Sequence, residues 1–456
     1  MKTQMFWRTL AACLAASVLT VTGVPAQAQD TLRISLRDAA VRAAADNPVL
    51  HASHRDVEAS EKQLSKAWRE YVPTITANAR YNYLNDDIAL GIPTITLPLP
   101  PKGLSLTLDP IHLLDRSTLR ADITATVPLF TGLRIESGIR AARHLTYEAN
   151  AQDTLALQRC TAEALVTYLQ CLLAEQNTLA REEAAATVAH HHRDVESLRV
   201  QGIATQYDLI RADLAAADAD RALEEARNQR TLAYRMLRKV LAVSADVPVV
   251  LTDSLAYREC PIQLDDALAE AQSARPEKAV LREKQEVVRA LSSVEVGKML
   301  PQIGAFAKYE LSEKALTPLD PRWIVGISAS VTIFDGLKDL AGAQYYDIQD
   351  EKLDDLQQEA GNAISLEVRK NFSDLQTSAA NIRSAQTSVA LSREALRMAN
   401  RRFETGAGTS LEVIDAQTTV VASRTGLAAA LFAYRSSYVQ LVRAMGRTAD
   451  LLNGAL

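Results

Sequence analysis

The sequence contains two copies of one unit, and this duplication limits the possible folds more than any other feature. The segment VPLFTGLRIESG at 127–138 matches VTIFDGLKDLAG at 331–342, 204 residues further along, and the match continues without a gap for more than a hundred residues. Upstream, ISLRDAAVRAAADNP at 34–48 matches IQLDDALAEAQSARP at 262–276 with a spacing of 228 residues. Such a repeat indicates two related structural units that pack on each other.

The two spacings differ because the first copy carries 24 extra residues between positions 73 and 127. This insertion includes GIPTITLPLPPKG at 91–103, which is rich in proline and has no helical period. We interpret it as a long loop that belongs to the first copy only.

Each copy has the same order of predicted elements. A helix (about 36–70 and 264–299) precedes two alternating strands, and a long helix without proline follows (about 133–199 and 337–403). At 1.5 Å per residue each long helix spans roughly 100 Å, and after a glycine-containing turn a last helix runs back. The predicted organisation is a signal peptide at 1–28, a first repeat at 29–254 with a β-hairpin at 71–130 and a tip turn at 200–206, a second repeat at 255–446 with a β-hairpin at 301–336 and a tip turn at 404–410, and a short tail at 447–456.

The predicted strands have one apolar and one polar face. In LRADITATVPLF at 119–130, apolar residues alternate with arginine, aspartate and threonine, which is the period of a strand that faces an apolar environment on one side. Five charged residues fall on the polar faces: Arg80, Arg120, Asp122, Lys308 and Glu310. Open strand edges are not tolerated in lipid, and about eight strands form the smallest closed membrane barrel. We therefore expect several chains to share one barrel whose lumen these charges line. A soluble sheet packed on the helices is the alternative.

The composition favours closely packed helices. The chain is 48% hydrophobic but only 5% aromatic, because alanine supplies much of the apolar content. In the last helix of each copy a heptad repeat keeps one of its two core positions small almost throughout, which lets helix backbones approach closely. The pattern indicates a thin-walled helical tube, and an ordinary antiparallel coiled coil is the alternative.

The N-terminus resembles a secretory signal. Lys2 and Arg8 precede an apolar stretch, and Ala26-Gln27-Ala28 fits the cleavage rule. A lipoprotein signal at Leu10-Ala11-Ala12-Cys13 is the alternative, although only Thr9 separates it from Arg8. Removal of 1–28 changes the net charge from −5 to −7, so electrostatics do not favour nucleic-acid binding.

The sequence shows no site for catalysis, a cofactor or a metal. No P-loop, HExxH, CxxC or GxSxG motif is present, so we expect no enzyme and no cofactor. Successive helical residues point about 100° apart, so His190, His191 and His192 cannot converge on one ion, and we interpret them as a solvated helix face. Cys160, Cys171 and Cys260 are interpreted as small buried residues. After the signal, no uncharged run reaches the roughly 18 residues of a membrane helix.

These features together resemble the TolC family of outer-membrane efflux channels. The similarity covers nearly the whole mature chain, and its most specific parts are the V-x-[LI]-F-x-G junctions and the tip sequences QGIATQYDLIRA and TGAGTSLEVIDAQ. The resemblance implies a mainly α-helical fold with membrane β-structure, in which each chain of a homotrimer gives four strands to a 12-stranded β-barrel above a long antiparallel α-helical coiled-coil barrel. It also implies an outer-membrane exit duct that reaches into the periplasm of a Gram-negative bacterium. Its partners would be outer-membrane lipid, a periplasmic adaptor and an inner-membrane pump of the RND, ABC or MFS type.

The resemblance also assigns roles to individual residues. The tips that would contact the adaptor are Gly202, Ile203, Ala204 and Thr205, and Gly406, Ala407, Gly408 and Thr409. Glu412 and Asp415 stand where the family has acids at the tunnel mouth, and three copies would place six carboxylates that favour cations there. Taken alone, Gly202 and Gly406 are helix C-caps, the two threonines are N-caps, and the two acids are first-turn residues that the helix dipole favours.

The gate departs from the family pattern. Asp208 is present, but Phe403 and Gly408 occupy the positions of the family's Tyr and Arg. We therefore hypothesise a constriction formed by Phe403 or a weaker gate. A periplasmic coiled-coil adaptor and a trimeric structural or adhesive protein are the alternative functions. The sequence predicts neither the exported substrate nor the pump.

Overall fold

The computed structural model describes residues 31–91, 95–97, 104–106, 109–259, 261–313, 316–317 and 320–453. The predicted signal peptide, Cys13 and Cys260 lie outside these residues. In chain order the elements are β1 (Leu32–Ile34), α1 (Leu36–Asp46), α2 (Pro48–Trp68), β2 (Thr74–Tyr83), β3 (Ile88–Leu90), β4 (Ile95–Leu97), β5 (Leu104–Leu106), β6 (Ile111–Leu114), β7 (Ser117–Phe130), α3 (Arg134–Val200), α4 (Gln206–Val240), β8 (Val249–Leu251), α5 (Leu264–Ala274), α6 (Pro276–Lys298), β9 (Gln302–Glu310), β10 (Trp323–Ser330), α7 (Lys338–Glu404), α8 (Ser410–Ala444) and α9 (Thr448–Asn453).

The first predicted helix of each copy is wrong as a single helix. Asn47 and Arg275 are extended, with ψ of 122° and 123°, and they separate α1 from α2 and α5 from α6. The cause is the proline that follows each of them, because a proline excludes the preceding residue from the helical conformation but is well suited to the first helical position.

The helices form one layer, in which four columns of helix lie side by side. The two 67-residue helices, α3 and α7, are continuous. α3 packs against α2 and α4 on one side and against α6 and α8 on the other, and α6 and α8 also pack against α7. The order across the layer is therefore α2 with α4, then α3, then α6 with α8, then α7. One edge is formed by α2 and α4, and the other by α7.

Each proline break also joins two shorter helices end to end. The Asn47 side chain caps α2 by accepting from Val49 N–H and donates to the carbonyl of Val240, the last residue of α4. Arg275 makes the equivalent junction in the second copy, where it donates to the carbonyl of Ala444 at the end of α8. Arg275 is buried and also forms ion pairs with Glu277 and Glu367, which compensate its charge.

A four-stranded antiparallel sheet lies at one end of this layer, with strand order β10-β9-β7-β2. The register places Thr74 opposite Thr126, Asp122 opposite Glu310, and Tyr309 opposite Trp323. β7 and β9 come from different copies, so their pairing joins the two predicted hairpins into one sheet. β2 and β10 are its edge strands.

The predicted long loop at 91–103 is wrong where the structure describes it. β3 pairs with β6 and β4 pairs with β5, both antiparallel, so the insertion continues the β2–β7 hairpin with short ladders. Isoleucine, leucine and threonine favour strands, whereas the prediction relied on proline alone. The remaining residues of the segment lie outside the described part of the chain.

The largest buried cluster lies near the middle of α3, where α1, the parallel β1–β8 pair and α9 pack on the layer. At its centre the fully buried Tyr168 donates from its hydroxyl to the Asp253 carboxylate at 2.8 Å. The same carboxylate oxygen accepts from the Leu36 backbone N–H at 2.6 Å. This group of three residues fixes the start of α1 and the segment between the two repeats onto α3.

Cys160 and Cys171 are buried and free, as expected. Burial raises the pKa of the Cys171 thiol to about 12. In the described part of the chain, no helix is both long enough and apolar enough to cross a membrane.

We predict that Tyr168→Phe lowers the melting temperature of the protein in detergent. The substitution removes the hydroxyl that donates to the Asp253 carboxylate, and a hydrogen bond to a charged group contributes about 1.5–3 kcal/mol. Tyr147→Phe is the control, because Tyr147 lies on the same helix and is half exposed. Equal melting temperatures for the two variants would contradict this role of Tyr168.

Candidate functional site

The two helical hairpins end in equivalent turns. Gly202 and Gly406 have φ of +76° and +70°, and a Cβ added at either position would meet nothing within 4 Å. These glycines are required by the left-handed backbone that ends α3 and α7, rather than by lack of space. Ile203 is exposed, and its N–H and that of Ala204 donate to the Leu198 carbonyl. In the second turn, the N–H groups of Ala407 and Gly408 donate to the Arg402 carbonyl.

The acids next to the two turns have different partners. Thr205 caps α4, and Asp208 accepts in return from Thr205 N–H at 3.0 Å, which completes a capping box. Thr409 caps α8 through the N–H of Glu412, but the Glu412 carboxylate lies 3.5 Å from the Arg402 guanidinium instead.

Two further residues near the second turn depart from the expected pattern. Asp415 is exposed and lies in the second turn of α8, so it is not a first-turn acid. At Gly408 an added Cβ would lie 2.9 Å from Arg402 Cβ, so this position has no room for a side chain without a local shift.

The interpretation of the histidine triad as a solvated face is wrong for its middle member. His190 is exposed and lies 2.8 Å from Asp194, and His192 lies 2.6 Å from Asp213. His191 is only 5% exposed, and its Nε2 lies 2.9 Å from the Ser410 hydroxyl. The prediction failed because a helix that is packed on several sides has more than one buried face.

The ends of the α3–α4 and α7–α8 hairpins lie at different heights along the axes of the long helices. His191 of α3 lies beside Ser410, the first residue of α8, and its ring centroid is 4.9 Å from that of Phe403 in the last turn of α7. α3 continues for nine residues beyond His191, which corresponds to about 13 Å. The first hairpin therefore extends beyond the second, whose end is recessed. Asp208 bonds within its own turn, whereas Phe403 packs against α3, so the two gate candidates have separate surroundings.

The charged residues of the sheet lie on one face. Lys308 Nζ lies 2.8 Å from Glu310 and 3.7 Å from Asp122. Arg120 forms an ion pair with Asp320 at 2.7 Å, and Arg80 lies opposite Arg120 in the β2–β7 register. The five predicted lumen residues thus share one side of the sheet, where Lys308 and Asp122 form an ion pair between neighbouring strands.

The opposite face of the sheet is apolar and exposed. Its large exposed side chains come from all four strands: Ile75, Tyr81, Tyr83, Leu119, Ile123, Tyr309, Trp323, Val325 and Ile327. Monomeric soluble proteins rarely expose a continuous apolar surface of this size. The aromatic members gather toward the end of the sheet that is far from the long helices.

Both edges of the helical layer also expose apolar stripes. On α4 the stripe consists of Tyr207, Ile210, Leu214, Leu232 and Met236, and on α7 it consists of Tyr345, Ile348, Leu366, Leu391 and Met398. At 100° per residue each stripe lies opposite the buried positions of its own helix, such as Ala212 on α4 and Ile382 on α7. These stripes were not predicted, because the heptad was followed only in the last helix of each copy, although the spacing of 207, 210 and 214 was visible.

In the described residues no group of three or more histidine, cysteine, aspartate or glutamate side chains has a geometry suited to a metal ion.

The chain resembles known outer-membrane proteins over nearly its whole length. It matches the sequence model of the family described as Outer membrane efflux protein over residues 39–243 and 266–447, which correspond to the two repeats. It is 24% identical to the outer membrane efflux protein BepC of Brucella suis biovar 1 (strain 1330), over 96% of this chain and 91% of that protein.

Solved structures show the same fold. The CmeC outer membrane channel of Campylobacter jejuni is 15% identical, with a TM-score of 0.75 and coverage of 90% of this chain and 85% of that one. The MtrE outer membrane channel of Neisseria gonorrhoeae, in its open state, is 16% identical, with a TM-score of 0.65 and coverage of 90% and 88%. The fold class expected from the sequence is confirmed.

We predict that Gly406→Ala and Gly426→Ala have opposite effects on stability. A Cβ meets nothing within 4 Å at either position, but only Gly406 has a positive φ. Alanine should cost about 1–2 kcal/mol at Gly406 and add about 0.5–1 kcal/mol within α8 at Gly426. Hydrogen exchange of the 403–410 amides measures the difference. Equal protection in both variants would contradict the backbone explanation.

Proposed function

Because the chain belongs to the outer membrane efflux protein family, we propose that it forms the exit duct of a tripartite exporter. In this role it conducts substrate passively from a periplasmic adaptor and an inner-membrane pump to the exterior. The observation that carries the proposal is the two-sided sheet, in which an exposed apolar face lies opposite a charged one. Such a sheet needs lipid on one side and water on the other.

The free edges support a homotrimer. Closing the sheet requires β2 of one chain to pair with β10 of the next, and these strands are antiparallel in that arrangement. The rotation that brings β2 of one chain to β10 of the next also brings the stripe on α4 of the first chain to the stripe on α7 of the second. Contacts that connect two different surfaces in this way form a ring when the rotation between neighbouring chains closes. Three chains would give twelve strands, enough for a membrane barrel.

The proposed barrel has lipid outside and water inside. Tyr81, Tyr309 and Trp323 on the apolar face suit a membrane–water interface, where aromatic rings with a polar edge are favoured. The lumen would be lined by Arg80, Arg120, Asp122, Lys308 and Glu310, whose mixed signs give no strong preference for one charge. In this arrangement the outer membrane would surround the sheet, and the long helices would lie in the periplasm.

The proposed adaptor contacts are the two hairpin ends, at 202–205 and 406–409. The projecting first end is the more accessible, since it extends beyond the second. The recessed second end carries Glu412 and Asp415, the proposed acids of the tunnel mouth. Asp208 and Phe403 are the gate candidates.

A soluble periplasmic adaptor or an adhesive coiled coil is disfavoured. Either would leave the apolar face of the sheet in water, and neither requires charged residues on one sheet face only.

We predict that Leu391→Glu abolishes the trimer. Leu391 is in the exposed stripe of α7, so the substitution places three carboxylates in the proposed interface without changing the core of the chain. Light scattering coupled to size exclusion in detergent measures the mass. Val41→Glu is the matched control, because Val41 is also exposed and helical but lies on α1, away from both edges. A Leu391→Glu protein that remains trimeric would contradict the assignment of this edge.

We predict that the double variant Glu412→Gln, Asp415→Asn weakens block by a trivalent cation added from the helical side. Removal of six carboxylates from the trimer lowers the local attraction for cations, and we expect roughly a tenfold higher blocking concentration. Single-channel recording in planar bilayers measures the block. Glu351→Gln, Asp355→Asn is the matched control, since both acids are exposed on α7 far from the hairpin end. An unchanged blocking concentration would place the mouth elsewhere.

A further inference from the structure

His191 lies at the point where the recessed hairpin end contacts the first repeat. Its side chain projects from α3 and contacts the last turn of α7 and the first residue of α8. Its ring packs edge to face on Phe403, and its Nε2 lies 2.9 Å from Ser410 Oγ. Ser410 is only 2% exposed and His191 only 5%, so this contact is buried.

A cavity of about 380 Å³ adjoins this contact. It is lined by residues of α3, α7 and α8, among them His190, His191, Phe403 and Gln417. Gln417 is buried, and its side-chain carbonyl oxygen has no hydrogen-bond partner. The packing around His191 is therefore incomplete, which gives the ring and the hairpin end space in which to move.

Ionisable groups face His191 from each neighbouring helix. On α3 the neighbours are His190, His192 and Asp194, and the Asp194 carboxylate is paired with His190. On α7 Glu404 lines the cavity.

The remaining neighbouring charges are already paired. On α8 Glu412 is near Arg402, and on α4 Asp213 pairs with His192. In the part of the chain that the structure describes, no carboxylate lies within ion-pair distance of His191, and the acid next to it, Asp194, is paired with His190.

Burial lowers the pKa of His191, against the smaller opposing effects of Asp194 and of the hydrogen bond with Ser410. The neutral ring is thus the form that fits this contact. Its stabilising effect is complete above the ordinary histidine pKa of about 6.5 and is lost as the pH falls through the lowered value.

We propose that His191 is a proton-operated latch that holds the recessed hairpin end in the wall of the helical layer and releases it on acidification. Protonation places a charge in a buried contact that packs on Phe403, so the hairpin end leaves α3 and Phe403 becomes free. Since the periplasmic side of an outer membrane follows the external pH, the latch makes the conformation of the tip depend on the medium. Only its effect on conduction rests on the proposed channel function.

The experiment measures release directly. A glutamyl endopeptidase that is active in acid and at neutral pH cleaves after Glu404, which is exposed next to the turn, and cleavage follows the population of the released state. From about pH 7.5 to about pH 5 we expect cleavage of the wild-type protein at Glu404 to become roughly tenfold faster, relative to sites elsewhere in the chain. His191→Gln should show no such change, because glutamine retains a hydrogen-bonding side chain but does not titrate.

The neighbouring histidines supply the matched controls. His190→Gln and His192→Gln should keep the wild-type response, since both side chains lie outside the closed contact. The latch is overturned if His191→Gln responds to pH like the wild type, or if either control abolishes the response. If His191→Gln does not fold, Phe403→Leu replaces it. It should raise cleavage at neutral pH toward the acid level, and unchanged neutral cleavage would overturn the proposal.

Conduction separates this inference from the proposed function. Bilayer recordings at the same two pH values should show the wild-type current falling in acid as the hairpin end leaves the wall, with a constant current for His191→Gln. A current that is equally constant in the wild type overturns the latch while the channel remains. The absence of current in every variant would contradict the channel, and the cleavage assay would still decide the latch.

Discussion

The edge strands β2 and β10 set the condition that the rest of the molecule must satisfy. In the sheet of one chain each of them leaves a row of backbone N–H and C=O groups without a strand partner. Water can satisfy these groups, but the exposed apolar face beside them excludes a purely aqueous setting. Both requirements are met only when the strands continue around a closed surface. The register of β7 with β9 shows how this is achieved within a chain, because the two repeats meet there as two neighbouring chains must meet at β2 and β10.

The helical layer has the same open-edged geometry for a different reason. Helix backbones need no partner, but the stripes on α4 and α7 carry large apolar side chains away from their own cores. A layer that is apolar at both edges closes on copies of itself, as the sheet does. At each proline junction, Asn47 or Arg275, two shorter helices meet and together fill the length that α3 or α7 spans alone. A single chain can therefore form such a layer. If residues 36–70 formed a single helix, α1 would not be a separate helix that packs on the middle of α3, and the buried cluster there would lack it.

The sequence predicted what local patterns determine, and it failed where distant segments decide. The long helices and the four strands follow from periods of 3.6 and 2 that persist over many residues, so their existence was predictable. β1 and β8 are three residues each and lie more than two hundred positions apart, so no local hydrophobic periodicity predicts them. The break at Pro48 was present in the sequence but was outweighed by helical residues on both sides. The burial of His191 depends on α7 and α8, whose position relative to α3 no local pattern contains.

The differences between the two repeats show where equivalent turns have taken separate roles. Arg402 stands where the first copy has Leu198, and Gly408 where it has Ala204. In the second turn a Cβ at position 408 would lie 2.9 Å from Arg402 Cβ, whereas the first turn carries Ala204 at the equivalent position. Arg402 in turn draws the Glu412 carboxylate away from the cap that the equivalent Asp208 completes in the first turn. The second copy has Ala395 at the position of His191, and the first copy has Arg199 at the position of Phe403. The contact between His191 and Phe403 therefore has no counterpart in which the two repeats exchange roles. The first hairpin end thus keeps a self-contained cap and projects, whereas the second gives up part of its cap and is held through His191 and Phe403. The stability of the recessed end therefore depends on a contact between the repeats, while that of the projecting end is local.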